Sequence, residues 1–141
     1  MARKIFIVDT NVVISGQIGS DSSSPPARIL GAMLDGAFPY VVSTALFNEY
    51  SSVLRRPAVV RQHGLTEPEV ALLLSNLTEN AIWHDPVINN MAPYLGDNHI
   101  WALLESQPHA QLITGDKLLI EKPPVGAIVI SPRNAMEMIL V

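Results

Sequence analysis

The sequence predicts an α/β fold, a three-layer α/β/α sandwich around a mainly parallel sheet. Short, largely apolar runs, typical of strands buried on both faces of a sheet, alternate along the chain with segments whose apolar residues recur at helical spacing. Strands that alternate with helices in this way favour parallel pairing. The chain has 141 residues without an internal repeat or a break in composition, so we expect a single domain over residues 1–141.

Five segments have the composition of strands and five that of helices. The predicted strands are Ile5–Val8, Tyr40–Ser43, Ala81–Trp83, Gln111–Thr114 and Ala127–Ile130. The predicted helices are residues 26–35, Thr44–Arg56, Thr66 to about Thr78, Asp97 to just before Pro108, and a short last helix capped by Ser131. Turn-forming residues from Gly16 to Pro26 indicate an exposed loop or flap between the first strand and the first helix.

Composition excludes several classes of protein. Hydrophobic residues make up 48% of the chain and charged residues 16%, which predicts a well-filled core rather than a disordered tail. No apolar run is long enough to span a bilayer, and the sequence has no cysteine, so disulfides, thiolate catalysis and cysteine-bound metals are excluded. We therefore expect a cytoplasmic protein that does not associate with membranes.

The formal net charge is −4, from nine basic and thirteen acidic residues. Proteins that grip nucleic acid through its phosphates usually carry a basic surplus, so this balance argues against broad, backbone-driven binding of nucleic acid. It does not exclude binding at one cleft if the acids there hold divalent cations, because these would offset the surplus.

Two acids follow directly after predicted strands. Asp9 comes after Ile5–Val8, and Asp116 comes after the 111–114 strand and Gly115. Because ligands bind outside the carboxyl ends of parallel strands, both acids are candidate site residues. Asp97 begins a predicted helix and can face the same edge of the sheet. Glu49 borders the apolar stripe of the 44–56 helix, where a carboxylate needs a partner.

Each acid also has a structural interpretation. Asp9 and Asp97 could be helix caps, and Asp116 could be an ordinary turn residue. Glu49 could pair with Arg55 or Arg56 on a neighbouring turn of its helix. The joint placement of the four acids is what favours a common site.

Four converging carboxylates repel one another unless they share a cation. Ligand sets made only of oxygen suit Mg²⁺ or Mn²⁺, and such ions support hydrolysis of phosphodiester bonds by activated water. The sequence therefore predicts a metal site formed by Asp9, Glu49, Asp97 and Asp116.

Five blocks of the sequence extend this interpretation: Ile7–Gly16, Asn48–Tyr50 with Val53–Pro57, Gly96–Ile100 with Ala102 and Leu103, Leu112–Lys117 with Leu119, and Ile130–Arg133. Their residues and their order resemble the PIN-domain ribonucleases, most closely the VapC-type toxins of toxin–antitoxin pairs. The resemblance covers nearly the whole chain. The first and fourth blocks are specific, whereas the second is weak alone.

The resemblance implies a PIN fold and cleavage of RNA by water with Mg²⁺ or Mn²⁺, leaving 5′-phosphate and 3′-hydroxyl ends. It implies that Asp9, Glu49, Asp97 and Asp116 are the catalytic metal ligands. Further positions that match the family support these acids or contact the substrate: Thr10, Asn11 and Thr114. The expected partners are RNA, a cognate antitoxin protein and a second copy of the chain.

The third block departs from the pattern, since Pro93–Gly96 stands where further acids are usual. In addition, His109–Gln111 replaces the usual Gly-Ala-Asp ahead of the strand of the fourth block. A PIN-like binding module without catalysis is therefore an alternative. A phosphatase or receiver domain fits less well, because Asp9 is followed by Asn11 where a phosphatase has a second Asp.

Histidines and basic residues give weaker signals. His99 could touch substrate, but a histidine at the start of a helix is more often a local hydrogen-bonding residue. Among the basic residues, Lys117 is best placed to contact phosphate because it adjoins Asp116; the other candidates are Arg55, Arg56, Arg61, Lys122 and Arg133.

Overall fold

The computed structural model describes residues 4–86, 98–123 and 126–140. Within these ranges the chain forms five strands: β1 (Ile5–Val8), β2 (Val41–Val42), β3 (Ile82–Trp83), β4 (Ala110–Ile113) and β5 (Ile128–Ile130). These strands coincide with the five predicted ones to within two residues at each end.

All strand pairs are parallel. β4 lies between β1 and β5, and β2 pairs with β3. A single parallel bridge between Phe6 and Tyr40 connects these two groups, so the strands follow the spatial order β3-β2-β1-β4-β5. The predicted α/β class with a parallel sheet is confirmed.

The helices of the described ranges are α1 (Thr10–Ile18), α2 (Pro25–Leu34), α3 (Thr44–Leu54), α4 (Pro57–His63), α5 (Glu67–Glu79), α6 (Asn98–Ser106), α7 (Lys117–Glu121) and α8 (Pro132–Ile139). Side-chain oxygens accept hydrogen bonds from N–H groups of the first turn at most of their N-termini, and Thr66 with Glu69 forms a capping box at the start of α5. None of these helices is long and apolar enough to cross a membrane.

The predicted loop from Gly16 to Pro26 is too long at both ends. Residues 16–18 complete α1, and α2 begins at Pro25 with Ser24 as its cap. Proline fits the first turn of a helix because its missing N–H would have no partner there. The same reason explains α4, which was not predicted: Pro57 begins a new helix directly after α3 ends. The short helix α7 was not predicted either.

Two buried tyrosines join helices to the sheet. The hydroxyl of Tyr40 donates to the carbonyl of Leu77 in α5 at 2.5 Å, and that of Tyr50 in α3 donates to the carbonyl of Val8 at the end of β1. Burial raises the pKa of Tyr40 to about 12. Burial also raises the pKa of Tyr50 well above its ordinary value, and the charge of Asp9 adds to this shift. Both hydroxyls therefore remain protonated donors.

Helices α1 and α2 approach closely at Gly16. A Cβ atom built on Gly16 would lie 2.7 Å from the carbonyl oxygen of Pro26 and 3.0 Å from the Cβ of Leu30. The first of these atoms belongs to the backbone and cannot rotate away. In contrast, a Cβ built on Gly31 in α2 meets nothing within 4 Å.

These two glycines give a matched test of the packing of α1 on α2. Gly16→Ala should lower the free energy of unfolding by about 1–3 kcal/mol, since it overpacks the contact. Gly31→Ala should raise it by about 0.5–1 kcal/mol, because alanine restricts the unfolded chain and favours the helix. Urea denaturation of both variants measures the difference. Equal effects of the two substitutions would contradict the close approach at Gly16.

Candidate active site

The site begins where β1 and β4 end side by side. The two strands are paired in parallel with Val8 opposite Ile113, and the N–H of Asp9 donates to the carbonyl of Ile113 at 2.8 Å. Asp9 and Thr114, which are 105 positions apart in sequence, therefore emerge as neighbours at the carboxyl edge of the sheet. This is the edge where the sequence predicts a site.

The buried hydroxyl of Thr114 connects three polar groups. It donates to Asp9 Oδ2 at 2.9 Å, and it accepts from Asn11 Nδ2 at 3.2 Å and from the N–H of Asp116 at 3.1 Å. A hydroxyl has one proton to donate and two lone pairs to accept with, so this oxygen is fully used. Thr114 therefore fixes the positions of Asp9 and Asp116 relative to each other.

Asn11 completes this connection from α1. Its Oδ1 accepts from the N–H of Gly115 at 2.9 Å, so the amide bridges the first turn of α1 and the turn that follows β4. The carboxylate of Asp9 also caps α1, because its Oδ1 accepts from the N–H of Thr10 at 2.8 Å. The structural interpretation of Asp9 as a helix cap is thus correct. Asp9 also lies at the carboxyl edge of the sheet, so the two interpretations are compatible.

Asp116 caps α7. Its Oδ1 accepts from the N–H groups of Leu118 at 3.0 Å and Leu119 at 3.4 Å. Negative charge at a helix N-terminus is favourable, and both bonds use the same oxygen. Its Oδ2 accepts no hydrogen bond within the part of the chain that the structure describes.

Glu49 reaches the same place from α3. Two contacts hold this helix: Tyr50 bonds to the end of β1, and Asp85 accepts from the N–H of Thr44 at 2.7 Å and from its hydroxyl at 2.8 Å. The bonds from Thr44 hold the pKa of Asp85 below its ordinary value. Glu49 is only partly exposed, as expected for a residue bordering the apolar stripe.

Both carboxylate oxygens of Glu49 have partners. Oε1 accepts from the hydroxyl of Thr10, and Oε2 lies 2.6 Å from Nε2 of His99 in α6. Arg55 instead pairs with Glu67, so it is not the partner of Glu49. The histidine that sequence reasoning set aside is therefore a direct neighbour of a candidate catalytic acid. Spacing could not reveal it, because the two residues are 50 positions apart.

The acids line one cavity of about 490 Å³. It is bounded by residues from α1, α3, α7 and the segments next to them: Asp9, Thr10, Asn11, Ile14, Ser15, Glu49, Val53, Arg56, Asp116 and Leu119. A second cavity of about 340 Å³ lies beside it and shares Asn11, Ser15 and Asp116. Of the predicted site residues, the structure brings Asp9, Glu49 and Asp116 together with Thr10 and Asn11.

Two described residues of the predicted site, Thr114 and Lys117, do not line this cavity. Thr114 is buried beneath Asp9 and acts through hydrogen bonds. Lys117 is exposed beside Asp116 but does not line either of the two cavities. Asp97 lies outside the described residues, and only the helix that it was predicted to cap is seen, beginning at Asn98.

The oxygen atoms that these acids offer are suitable ligands for a hard cation. Asp9, Glu49 and Asp116 offer only carboxylate oxygens, the ligands that Mg²⁺ and Mn²⁺ prefer. Within residues 4–86, 98–123 and 126–140, no three acidic or histidine side chains converge closely enough to form a ready-made metal cluster. Mg²⁺ is usually held by one or two carboxylates with water and substrate phosphate, so these residues suit it without such a cluster.

Comparison with known families identifies the class of protein. The model of the PIN domain matches residues 6–118, which is more than half of the chain and includes Asp9, Glu49 and Asp116. The chain belongs to the PIN domain family. PIN domains are generally nucleases, and those nucleases typically use divalent metals. A comparison with curated proteins gives no match.

The bridging role of Thr114 can be tested without reference to activity. Thr114→Val should lower the free energy of unfolding by about 1–3 kcal/mol, because it leaves the amide of Asn11 and the N–H of Asp116 without their acceptor. Thr114→Ser keeps the hydroxyl and should lose no more than about 1 kcal/mol. Hydrogen exchange of the Asp116 amide separates the two variants: it should accelerate in Thr114→Val alone. Unchanged exchange in that variant would exclude the bridge.

Proposed function

We propose that this protein is a metal-dependent endoribonuclease that hydrolyses phosphodiester bonds in RNA, and that it is the toxin of a toxin–antitoxin pair. The observation that carries the proposal is the meeting of Asp9, Glu49 and Asp116, from three distant segments, around one cavity at the carboxyl edge of the sheet. Membership of a nuclease family and the sequence resemblance to VapC-type toxins support it.

Asp9, Glu49 and Asp116 would hold Mg²⁺ or Mn²⁺ in this cavity, and Asp97 would add a fourth carboxylate from the start of α6. When bound, the ion lowers the pKa of a coordinated water and offsets the charge of the phosphate under attack. The oxygen-only donor set and the accessible Oδ2 of Asp116 are the features of the described residues that support this assignment.

The remaining residues would keep the acids in position. Asn11 and Thr114 hold Asp9 and the turn before Asp116, while Thr10 and His99 hold the two oxygens of Glu49. Preorganised donors of this kind avoid reorganisation when substrate arrives. Lys117, exposed beside Asp116, would contact substrate phosphate. The products would carry 5′-phosphate and 3′-hydroxyl ends.

The toxin role implies two binding partners besides RNA. An antitoxin protein would bind the enzyme and inhibit it, and the enzyme itself would be a homodimer. A single PIN domain spanning residues 1–141 is sufficient for this proposal, since the family match already includes Asp9, Glu49, Asp97 and Asp116.

Substitution of the acids tests the catalytic assignment. The protein should cleave RNA when Mg²⁺ or Mn²⁺ is added, and EDTA should abolish cleavage. Asp9→Asn and Asp116→Asn should each lower the rate by about 10²-fold or more, because each removes a charged ligand from the metal. Gel analysis of a labelled RNA of mixed sequence measures the cleavage.

Asp35→Asn is the matched control, because Asp35 is an exposed acid at the end of α2 and lies outside both cavities. It should cleave at the wild-type rate. Cleavage that persists in both Asp9→Asn and Asp116→Asn would exclude the assigned site. Binding of RNA without cleavage by the wild type would identify a binding module instead of a nuclease.

The toxin role has a separate test. Induced expression of the wild-type chain in a bacterial host should arrest growth, since unregulated cleavage of RNA stops protein synthesis, whereas Asp9→Asn should allow growth at equal protein level. Growth curves with quantified expression measure this. An active enzyme that leaves growth unaffected would argue for a nuclease outside a toxin–antitoxin pair.

A further inference from the structure

The cavity that holds the three acids is also lined by one basic residue of the described chain, Arg56. Arg56 lies at the junction of two helices: it directly follows Arg55, the C-cap residue of α3, and it is the N-cap residue of α4. The side chain of an N-cap residue usually accepts a hydrogen bond from an N–H group of the first turn, but a guanidinium has no acceptor and that of Arg56 forms no such bond. Its guanidinium therefore does not serve the helix that it begins.

The backbone of Arg56 is held firmly. Its N–H donates to the carbonyl of Val53 at 3.2 Å, and its own carbonyl accepts from the N–H groups of Val59 and Val60, both at 2.9 Å. The side chain is exposed and forms no hydrogen bond or ion pair with the described residues. A fixed backbone thus presents an unpaired cation at the rim of an acidic cavity.

The neighbouring Arg55 shows the opposite arrangement. Its Nε donates to both carboxylate oxygens of Glu67 at 2.9 and 3.1 Å, its Nη2 lies 2.7 Å from Glu67 Oε1, and its Nη1 donates to Ser51. Two consecutive arginines are therefore distinguished by structure: Arg55 is used within the fold and lies outside the cavity, whereas Arg56 lines the cavity and has no partner among the described residues.

Glu49 is the acid nearest to Arg56 along the chain, but its oxygens are already used by Thr10 and His99. The planar guanidinium suits two-point binding of phosphate. We propose that Arg56 binds a backbone phosphate of the RNA substrate, and that this phosphate flanks the one being cut. The inference rests on the proposed ribonuclease function.

The spacing along α3 indicates the flanking position. Glu49, Val53 and Arg56 follow one another at intervals of four and three residues and line the same cavity. The five residues from Glu49 to Leu54, the last residue of α3, correspond to roughly 7.5 Å along the helix axis, and Arg56 lies two residues farther along the chain. A phosphate at the carboxylates and a phosphate at Arg56 would therefore be different phosphates of one strand, and the strand would run from Asp116 past Val53 towards the start of α4.

The first experiment compares Arg56→Gln with Arg55→Gln in cleavage of a single-stranded RNA. Arg56→Gln should raise KM about tenfold, the loss of one charge-assisted contact, with kcat nearly unchanged at saturation. The logarithm of kcat/KM should also fall less steeply with the logarithm of salt concentration, by about 0.7 in slope, because one phosphate contact to a single strand is gone. Arg55→Gln should change neither KM nor the salt slope.

The second experiment locates the phosphate. In RNA substrates with a single cut site, each linkage near that site is replaced in turn by an uncharged methylphosphonate, leaving the cut linkage intact. The wild type should lose about tenfold in kcat/KM at one flanking linkage, and Arg56→Gln should be insensitive to replacement at that linkage alone. Arg55→Gln should retain the wild-type sensitivity.

The outcomes separate the two proposals. Suppose that the wild type cleaves RNA but Arg56→Gln shows the wild-type KM and salt slope, or is as sensitive as the wild type to methylphosphonate replacement at every linkage. The role of Arg56 is then overturned and the nuclease assignment stands. A fall in kcat without a change in KM would also overturn it, since that indicates a distorted site. If the wild type neither binds nor cleaves RNA, the proposed function fails and this inference fails with it.

Discussion

The parallel pairing of β1 with β4 is the constraint on which the candidate site depends. With Val8 opposite Ile113, the residues that follow the two strands are forced together, and Asp9 meets Thr114. A slip by one residue would turn Thr114 away from Asp9, because successive side chains of a strand point to opposite faces. The side chains of Phe6, Ile7 and Val8 and all those of β4 are buried and oppose such a slip, so packing of the core sets the geometry of the acids.

Neutral donors surround these acids. Within the described residues, hydroxyl, amide and backbone N–H groups donate to the three carboxylates, and His99 is an ionisable partner of Glu49. Neutral donors orient a carboxylate without cancelling its charge, so the charge remains available to a cation. An arginine in their place would compete with a metal. The pairing of Arg55 with Glu67, outside the cavity, is consistent with this separation.

The sequence was most informative where local signals and topology agree. Asp9 and Asp116 were chosen as candidate site residues because they follow strands, and Glu49 because it borders an apolar stripe. His99 was not assigned, since its contact with Glu49 joins distant elements that no spacing encodes. Arg56 was only one of several basic candidates, since nothing in the sequence separates it from Arg55. The helix α4 was missed because Pro57 was interpreted only as the end of α3, although proline also begins helices. Asp97 was chosen as a candidate site residue because it begins a predicted helix, which the structure describes from Asn98 onward.

The long separation between β1 and β4 also determines when the site can exist. Pairing Ile5 with Ala110 closes a loop of most of the chain, and contacts of such high sequence separation form slowly. A nascent chain that has emerged as far as α5 contains Asp9 and Glu49 but lacks Thr114 and Asp116. Synthesis of the first acids and assembly of the cavity are thus separated in time, and a chain cut between α5 and β4 would hold the carboxylates on two fragments that no covalent bond keeps together.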